Sequence, residues 1–338
     1  MITTTCVLAV FLALCGYKLS VQRPGGTTNQ DFLPFRGLFA LVIVTDHLSQ
    51  EMAQPGAIIA FSYTGYIIVS LFFAISGYGL AYSVKNKPSY LDGFVVNRIP
   101  RLLMPLWLTN LVYILVELLV YKRAMSPGLF VGYLLGYPQI NTNAWYVIAL
   151  FVLYIIFFVA LKLTGELKKA IPLIALLTAA WGIFCLTVVK KYWWMNACFA
   201  FSAGIILYEY EDKLRIKWGQ TLVLLGVFFA AFLCGWKLQG IPMLAAMVIA
   251  SVASAVLFFA FAKGVRIRGR SLEFLGTISY ELYLIHNLYR HLFKSELVRI
   301  ENDITYYIIV LGSSIISAVL IHQAVMLCFR KKLDKRAG

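Results

Sequence analysis

The sequence predicts an all-α integral membrane protein, a polytopic helical bundle with about 10–11 transmembrane helices. Of its 338 residues, 61% are hydrophobic and only 13% are charged. Soluble domains carry about 25% charged residues, so the composition excludes an ordinary soluble domain. Apolar segments of about 17 to 23 residues recur along the whole chain, and each is long enough to cross a hydrocarbon core of about 30 Å.

The first predicted span differs in character from the others. Residues 6–17 resemble the core of a signal peptide, but Lys18 and Arg23 follow the apolar run instead of preceding it, which favours a retained helix. We therefore divide the chain into an extra N-terminal transmembrane helix or signal anchor, residues 1–25, and a transmembrane domain, residues 26–338. The predicted spans are 4–20, 32–50, 61–83, 102–121, 143–161, 170–188, 195–209, 219–235, 241–262, 274–292 and 304–328.

The basic residues predict the orientation of these spans. The net charge is +15, and lysine and arginine accumulate in the cytoplasmic loops of membrane proteins. With the C-terminus in the cytoplasm, 21 of the 30 lysine and arginine residues lie inside, 8 lie outside, and Arg36 lies within the membrane. This asymmetry explains the charge without nucleic acid as a partner. The six cysteines lie in apolar spans without CxxC pairs and read as packing residues.

Arg36 and His47 are eleven residues apart in one apolar segment. In a helix, eleven residues return to nearly the same face about 16 Å further along the axis. Ionisable groups in lipid are costly and usually serve a substrate or proton pathway. His47, with Asp46 and Glu51 close in sequence, is either a general base or a hydrogen-bonding packing residue. Arg36 is either an anion site or a structural cation that snorkels to the interface.

Two further segments carry candidate site residues. Arg98 and Arg101, in a predicted loop at the cytoplasmic mouth, are either a positive-inside flank or a clamp for donor phosphates. Intramembrane Glu281 and His286 are about 140° apart on a helix and need not act together, whereas Tyr283 and His286 share a face. His291 and His322 have no comparable partners. The absence of P-loop, GxSxG and HExxH motifs argues against ATP-driven transport and metallohydrolysis, and no metal is expected.

Five segments, in this order, resemble the membrane-bound acyltransferase 3 family. The resemblance spans about residues 32–328. The extra helix at residues 4–20 precedes the segment at which many members of the family begin. The segments are the R-x10-H pair Arg36 and His47, the FF-x-x-SG segment with Ser76 and Gly77, the R-x-x-R-x-x-P stretch with Arg98, Arg101 and Pro105, the W-[YF] pair Trp145 and Tyr146, and the LG-x-x-SY-x-x-YL-x-H segment ending at Tyr283 and His286.

The resemblance implies a membrane O-acyltransferase, an O-acetyltransferase in most members, that moves an acyl group from cytoplasmic acyl-CoA to a hydroxyl of a cell-envelope or exported carbohydrate. Arg98 and Arg101 would hold the donor phosphates, and Arg36 would contact the donor or orient the site. His47 would act as general base or carry the acyl group. The cavity would be lined by Ser76, Trp145, Tyr146, Tyr283, His286 and Glu281.

The resemblance also sets the expected partners and location. Acyl-CoA, acetyl-CoA above all, serves as a donor substrate and no bound cofactor is expected. The partners are the carbohydrate or glycolipid acceptor and the lipid bilayer, and the location is the bacterial cytoplasmic membrane. The rival interpretation is a transporter or flippase for a lipid-linked sugar, which would use the same intramembrane charges for substrate passage.

Overall fold

A computed structural model describes residues 2–16, 18–21, 30–87, 89–213 and 217–337. The described chain is a helical bundle with one short pair of strands. Its α-helices are α1 Ile2–Cys15, α2 Leu33–Ser49, α3 Gly65–Asn86, α4 Phe94–Leu119, α5 Pro127–Leu135, α6 Trp145–Thr164, α7 Leu167–Phe184, α8 Phe199–Glu209, α9 Trp218–Lys237, α10 Gly240–Gly264, α11 Arg270–Thr277, α12 Ser279–Leu292 and α13 Asp303–Ala337, and its strands are β1 Lys18–Val21 and β2 Val265–Arg268.

The all-α membrane fold class is confirmed. Seven of the described helices are long and apolar enough to cross a membrane by length and composition. The four other predicted spans are also helical, but their helices α1, α2, α8 and α12 have only 11 to 17 residues. The seven longer segments are Gly65–Asn86, Phe94–Leu119, Thr142–Thr164, Leu167–Val189, Trp218–Lys237, Gly240–Gly264 and Asp303–Arg330.

Two predicted boundaries are wrong. The segment Asn97–Arg101 is not a loop, because α4 begins at Phe94 and includes both Arg98 and Arg101. Pro100 lies in the second helical turn, where its missing N–H leaves a single carbonyl without a partner and the helix continues. The span 274–292 is not one helix either, since it breaks at Ile278 into α11 and α12.

Two pairs of helices cross at glycine with their backbones in contact. A Cβ on Gly37 of α2 would overlap the Leu272 carbonyl oxygen, and a Cβ on Gly276 of α11 would overlap the Leu33 carbonyl oxygen. The second crossing has the same form, because a Cβ on Gly77 of α3 would overlap the Phe201 carbonyl oxygen of α8. Small residues allow this spacing in membranes, where dense packing replaces the hydrophobic driving force between helices. The first of these crossings fixes the helix that carries Arg36 and His47.

The N-terminal segment is attached to the bundle by a strand pair that the sequence did not reveal. The antiparallel strands β1 and β2 pair Lys18 with Arg268 and Val21 with Val265. Helix α1 ends at Cys15, before the predicted residue 20, and packs against α13 and the 3₁₀ helix Gly56–Tyr63. The predicted domain boundary at residues 25 and 26, and Arg23, lie outside the described residues.

Candidate functional site

Helix α2 carries Arg36 and His47 into two separate cavities. Arg36 lines a cavity of about 280 Å³, which we call the arginine cavity. His47 lines a second cavity of about 230 Å³, the histidine cavity. Tyr283 of α12 lines both cavities and therefore forms part of the wall between them. The shared helix face that the spacing predicted thus connects two chambers at different depths.

The arginine cavity gathers three of the predicted site cations. Arg36, Arg98 and Arg101 all line it, and none of its lining residues is acidic. The predicted cavity residues Ser76, Tyr146 and Tyr283 line it as well. Three guanidinium groups without a carboxylate in the same cavity make a strongly positive environment, and planar guanidinium groups suit bidentate contacts with phosphate.

Helix α4 positions Arg98 and Arg101 differently. Arg98 donates from Nη2 to the Tyr154 hydroxyl at 3.1 Å, and its guanidinium lies 5.3 Å from the centroid of that ring. Arg101 lies at an exposed position with its guanidinium 5.9 Å from the Phe329 ring centroid of α13. The first arginine is therefore held inside the cavity, while the second stands at its mouth.

A hydrogen bond joins the two site histidines across the bundle. His47 Nδ1 and His286 Nε2 are 2.7 Å apart, and the two ring planes differ by 12°. His286 Nδ1 lies 3.1 Å from the Leu282 carbonyl oxygen, which can only accept, so Nδ1 carries the proton. In the neutral ring Nε2 of His286 is then an acceptor, and His47 Nδ1 must donate to it. This assignment leaves His47 Nε2 unprotonated and able to take a proton.

The polar segment before α6 holds His286 in place. Asn143 lies with its Nδ2 3.3 Å from His286 Nε2, and its carbonyl oxygen accepts from the Tyr283 hydroxyl at 3.1 Å. Asn141 donates to the Leu284 carbonyl at 2.8 Å, which fixes the same segment to α12. The buried amide groups therefore lock the orientation of the histidine that contacts His47.

One helical turn further along, a salt bridge closes the same interface. Arg290 Nη2 and Glu51 Oε1 are 2.6 Å apart. Glu51 follows His47 by four positions, and Arg290 follows His286 by four positions. A carboxylate partner for His47 was expected from Asp46 or Glu51. Glu51 instead binds Arg290, and Asp46 accepts from Gln50 Nε2 at 2.7 Å. His47 thus has an imidazole partner where a carboxylate was expected.

Glu281 does not share a cavity with the other predicted cavity residues. It lies in a third cavity between α4, α12 and α13, where it contacts His322 Nδ1 at 3.0 Å. Helix α12 turns Glu281 away from His286, as the predicted angle between them requires. The prediction that His322 has no comparable partner is wrong, because its partner comes from another helix. Trp145 also differs from Ser76 and Tyr146, since it lines the histidine cavity and not the arginine cavity.

Several residues of the site carried no sequence signal that we used. Tyr154 and Tyr280 line the arginine cavity, and Tyr280 donates to the Leu102 carbonyl at 2.7 Å. Asn143 precedes the Trp145–Tyr146 pair. Its place directly before an apolar span could have identified it as a candidate site residue. Asn196 lines the histidine cavity from a turn that nothing in its local sequence distinguishes.

The seven long apolar helices and the polar cavities between the helices define a multi-pass membrane protein with a buried polar site. Residues 35–323 match the acyltransferase 3 family, described as an acyltransferase domain. The match covers most of the chain, so the protein belongs to this family and is a membrane acyltransferase. No curated protein and no solved structure matches the chain.

Proposed function

We propose that the protein is an O-acetyltransferase that moves an acetyl group from acetyl-CoA to a hydroxyl of a cell-envelope carbohydrate. The observation that carries this proposal is the hydrogen-bonded pair His47 and His286, because it leaves one imidazole nitrogen of His47 free to accept a proton. The aromatic and polar lining of the histidine cavity supports a carbohydrate, since aromatic faces pack against the C–H faces of sugar rings.

The arginine cavity is the proposed donor site. Arg98 and Arg101 would bind phosphate groups of acyl-CoA at the mouth, and the acylated arm would extend past Arg36 towards Tyr283. Arg36 has no ion-pair partner among the described residues, so its charge is available to a bound anion. The thioester would meet the acceptor hydroxyl where Tyr283 separates the two cavities.

In the proposed reaction, the acceptor hydroxyl gives its proton to His47 Nε2 while its oxygen attacks the thioester carbonyl carbon. A carbon–oxygen bond forms, the carbon–sulfur bond breaks, and the CoA thiolate takes the proton from His47. This is general acid–base catalysis by one imidazole, and Nδ1 keeps its proton throughout. In the alternative route, His47 Nε2 attacks the thioester carbon, the carbon–sulfur bond breaks and the CoA thiolate leaves. The acceptor oxygen then attacks the acyl carbon, the carbon–nitrogen bond breaks and the thiolate takes the hydroxyl proton.

Orientation in the membrane belongs to the same proposal. We place the protein in the bacterial cytoplasmic membrane with its C-terminus in the cytoplasm. Arg101 and Arg330 line the same cavity. The first turns of α4 and the end of the apolar part of α13 therefore lie at the same end of the bundle. Basic residues at this end of the bundle support its placement on the cytoplasmic side, where acyl-CoA is made.

Purified protein with acetyl-CoA tests the reaction itself. An acetyltransferase releases free CoA in proportion to acetylated carbohydrate, which a thiol assay and mass spectrometry of the glycan measure together. A transporter or flippase for a lipid-linked sugar would release no CoA. The family match favours the first outcome, and absence of CoA release with envelope glycan supplied would reject the proposed function.

Neutralising the donor-side arginines is expected to weaken donor binding. Charge-assisted hydrogen bonds contribute about 1.5–3 kcal/mol each, so the double variant Arg98→Gln and Arg101→Gln should raise KM for acetyl-CoA at least tenfold. Radiolabelled acetyl-CoA supplied to inside-out vesicles measures this. The exposed pair Arg123 and Arg299, both changed to Gln, is the matched control. Equal labelling by the double variant and this control would reject the clamp.

Replacing His286 is expected to slow transfer without changing donor affinity. In His286→Leu the His47 Nδ1 proton loses its acceptor, and an unsatisfied buried donor costs about 1–3 kcal/mol, which corresponds to a loss of about 10- to 100-fold in kcat. His286→Gln should restore part of the rate, because its side-chain oxygen can accept the same hydrogen bond. Purified variants are compared by kcat and by KM for acetyl-CoA. Equal rates for the Leu and Gln variants would show that His286 does not act through this hydrogen bond.

A further inference from the structure

Four exposed aromatic side chains lie at the surface beside the histidine cavity. Tyr63 and Trp193 line the cavity, and each is 42% exposed, so the wall of the cavity continues to the surface through their rings. Trp236 of α9 has its ring centroid 5.0 Å from that of Tyr63, and Tyr192 has its ring centroid 5.4 Å from that of Trp193. Trp236 and Tyr192 are exposed as well. We call these four residues the aromatic rim.

Two lysines bring positive charge to the aromatic rim. Lys237 Nζ lies 4.5 Å from the Trp236 ring centroid, and Lys191 Nζ lies 5.9 Å from the Trp193 ring centroid. Both distances are within the range of a cation–π contact. Neither lysine forms an ion pair with a described residue. The rim therefore offers flat apolar surfaces together with two cations that an anion can approach.

The position of the membrane explains the rings more readily than the lysines. Tryptophan and tyrosine are enriched at both membrane interfaces, so exposed rings alone indicate no ligand. Lysine and arginine, in contrast, accumulate on the cytoplasmic side. In the proposed orientation the rim lies at the other end of the bundle, because His47 follows Arg36 by three turns of α2. Lys191 and Lys237 therefore need a cause other than topology, and a negatively charged ligand supplies one.

The interior of the histidine cavity does not suit such an anion. None of its lining residues is lysine or arginine, and burying a charge without a partner is costly. Its volume of about 230 Å³ is also below the range of about 300–1,000 Å³ that is usual for pockets enclosing a drug-sized ligand. The cavity thus has room for a small neutral part of a glycan, and a charged part would lie outside it on the rim.

We propose that the aromatic rim, with Lys191 and Lys237, binds an acidic sugar unit of the acceptor glycan while a neighbouring neutral unit enters the histidine cavity. This inference rests on the proposed function and specifies its acceptor as a glycan that contains uronic acid. The carboxylate of a uronic acid is attached to the pyranose ring itself. A sugar ring in contact with either indole therefore has a lysine ammonium within reach of its carboxylate, and its C–H face packs on the aromatic surface.

The test compares two forms of one acceptor preparation. Envelope glycan from cells that lack the protein is used as isolated and after carboxyl reduction with carbodiimide and borohydride. The reduction converts ring carboxylates to neutral hydroxymethyl groups and leaves phosphate groups unchanged, so it distinguishes the two kinds of anion. The protein is purified in detergent without phospholipid, which removes lipid phosphates as competing anions. Acetyl transfer from acetyl-CoA gives KM for each glycan.

We expect the unchanged protein to have a KM about three- to tenfold higher for the reduced glycan, the effect of losing two exposed ion pairs. Raising NaCl from about 0.05 M to about 0.5 M should raise KM for the native glycan only, because salt screens exposed charges. The double variant Lys191→Gln and Lys237→Gln should bring KM for the native glycan to the value for the reduced glycan.

Lys294→Gln is the matched control for the two lysines. Lys294 Nζ also lies 4.5 Å from an aromatic ring centroid, that of Tyr306, but neither residue lines the histidine cavity. This variant should retain the preference for the native glycan and its dependence on salt.

Replacing a ring of the rim should act differently from replacing its lysines. Trp236→Leu is expected to raise KM for the native and the reduced glycan alike, because contact with the C–H face of a sugar does not depend on the carboxylate. Trp218→Leu is the matched control, since Trp218 lies at the other end of α9 and is 76% exposed. It should leave both KM values unchanged.

The outcomes separate this inference from the proposed function. Equal KM values of the unchanged protein for native and reduced glycan would show that no carboxylate is recognised and would overturn the inference. So would a double lysine variant that behaves like Lys294→Gln. Absence of CoA release and of acetyl transfer with either glycan would overturn the proposed function itself.

Discussion

Replacement of His47 by alanine is expected to lower acetyl transfer by about 10²- to 10⁴-fold, the usual contribution of a positioned general base. In the variant the hydroxyl proton loses its positioned acceptor, because the free Nε2 of His286 lies on the far side of the space that the His47 ring occupied. The loss should appear in kcat, with KM for acetyl-CoA nearly unchanged, since the proposed donor site is the other cavity. Steady-state assays of purified protein separate the two constants.

His291→Ala is the matched control for this prediction. His291 lies near the end of α12 and lines neither of the two site cavities. Its replacement should leave kcat within about twofold, because surface substitutions away from special features change little. Normal acetylation by His47→Ala, with the protein present at its normal level, would remove His47 from the mechanism.

A rapid-quench experiment on the unchanged protein distinguishes the two chemical routes. Radiolabelled acetyl-CoA without acceptor should leave the protein unlabelled if His47 acts only as a general base. A labelled protein whose label disappears in His47→Ala would instead identify an acyl-histidine intermediate. Both routes use His47 Nε2, so the result changes the mechanism and not the location of the site.

The placement of Arg36 and His47 on one helix face followed from spacing alone. Eleven residues of an α-helix make about three turns and return to nearly the same face. Helix α2 is continuous over residues 33–49, as predicted. The same reasoning put Glu281 and His286 on different faces of their helix, and the structure places them in different surroundings. Local periodicity therefore predicted which side chains of one helix can act together.

Contacts between helices were beyond this reasoning. His47 and His286 are 239 positions apart in the chain, and no local pattern specifies that their rings meet. The carboxylate that sequence proximity suggested for His47 does not contact it, since Glu51 binds Arg290 of another helix. Glu281 and His322, for which the sequence suggested no partner, bind each other. Ion pairs in a helical bundle depend on helix rotation and depth, which single-sequence periodicity does not determine. The ordered family segments reduced the number of residues that could form one site, because the segments contain residues of several helices.

The second large effect concerns the crossing of α2 and α11. Gly276→Ala is expected to destabilise the protein, because the added Cβ would overlap the Leu33 carbonyl oxygen of the facing backbone. Overpacking a well-packed interface costs about 1–3 kcal/mol even where side chains can move, and here the obstacle is main chain. Thermal unfolding of the detergent-solubilised protein, with recovery of monodisperse protein by size-exclusion chromatography, measures the change.

Gly312→Ala provides the matched control within a helix. Among the described residues, no atom outside its own turns of helix lies within 4 Å of the position that its Cβ would occupy. Alanine is also the better helix former by about 1 kcal/mol. This variant should therefore be at least as stable as the unchanged protein. If Gly276→Ala unfolds at the same temperature as Gly312→Ala, the backbone contact between α2 and α11 is absent in the folded protein. The helix carrying Arg36 and His47 would then be held by side-chain contacts, and the two cavities would need a different account of how they are aligned.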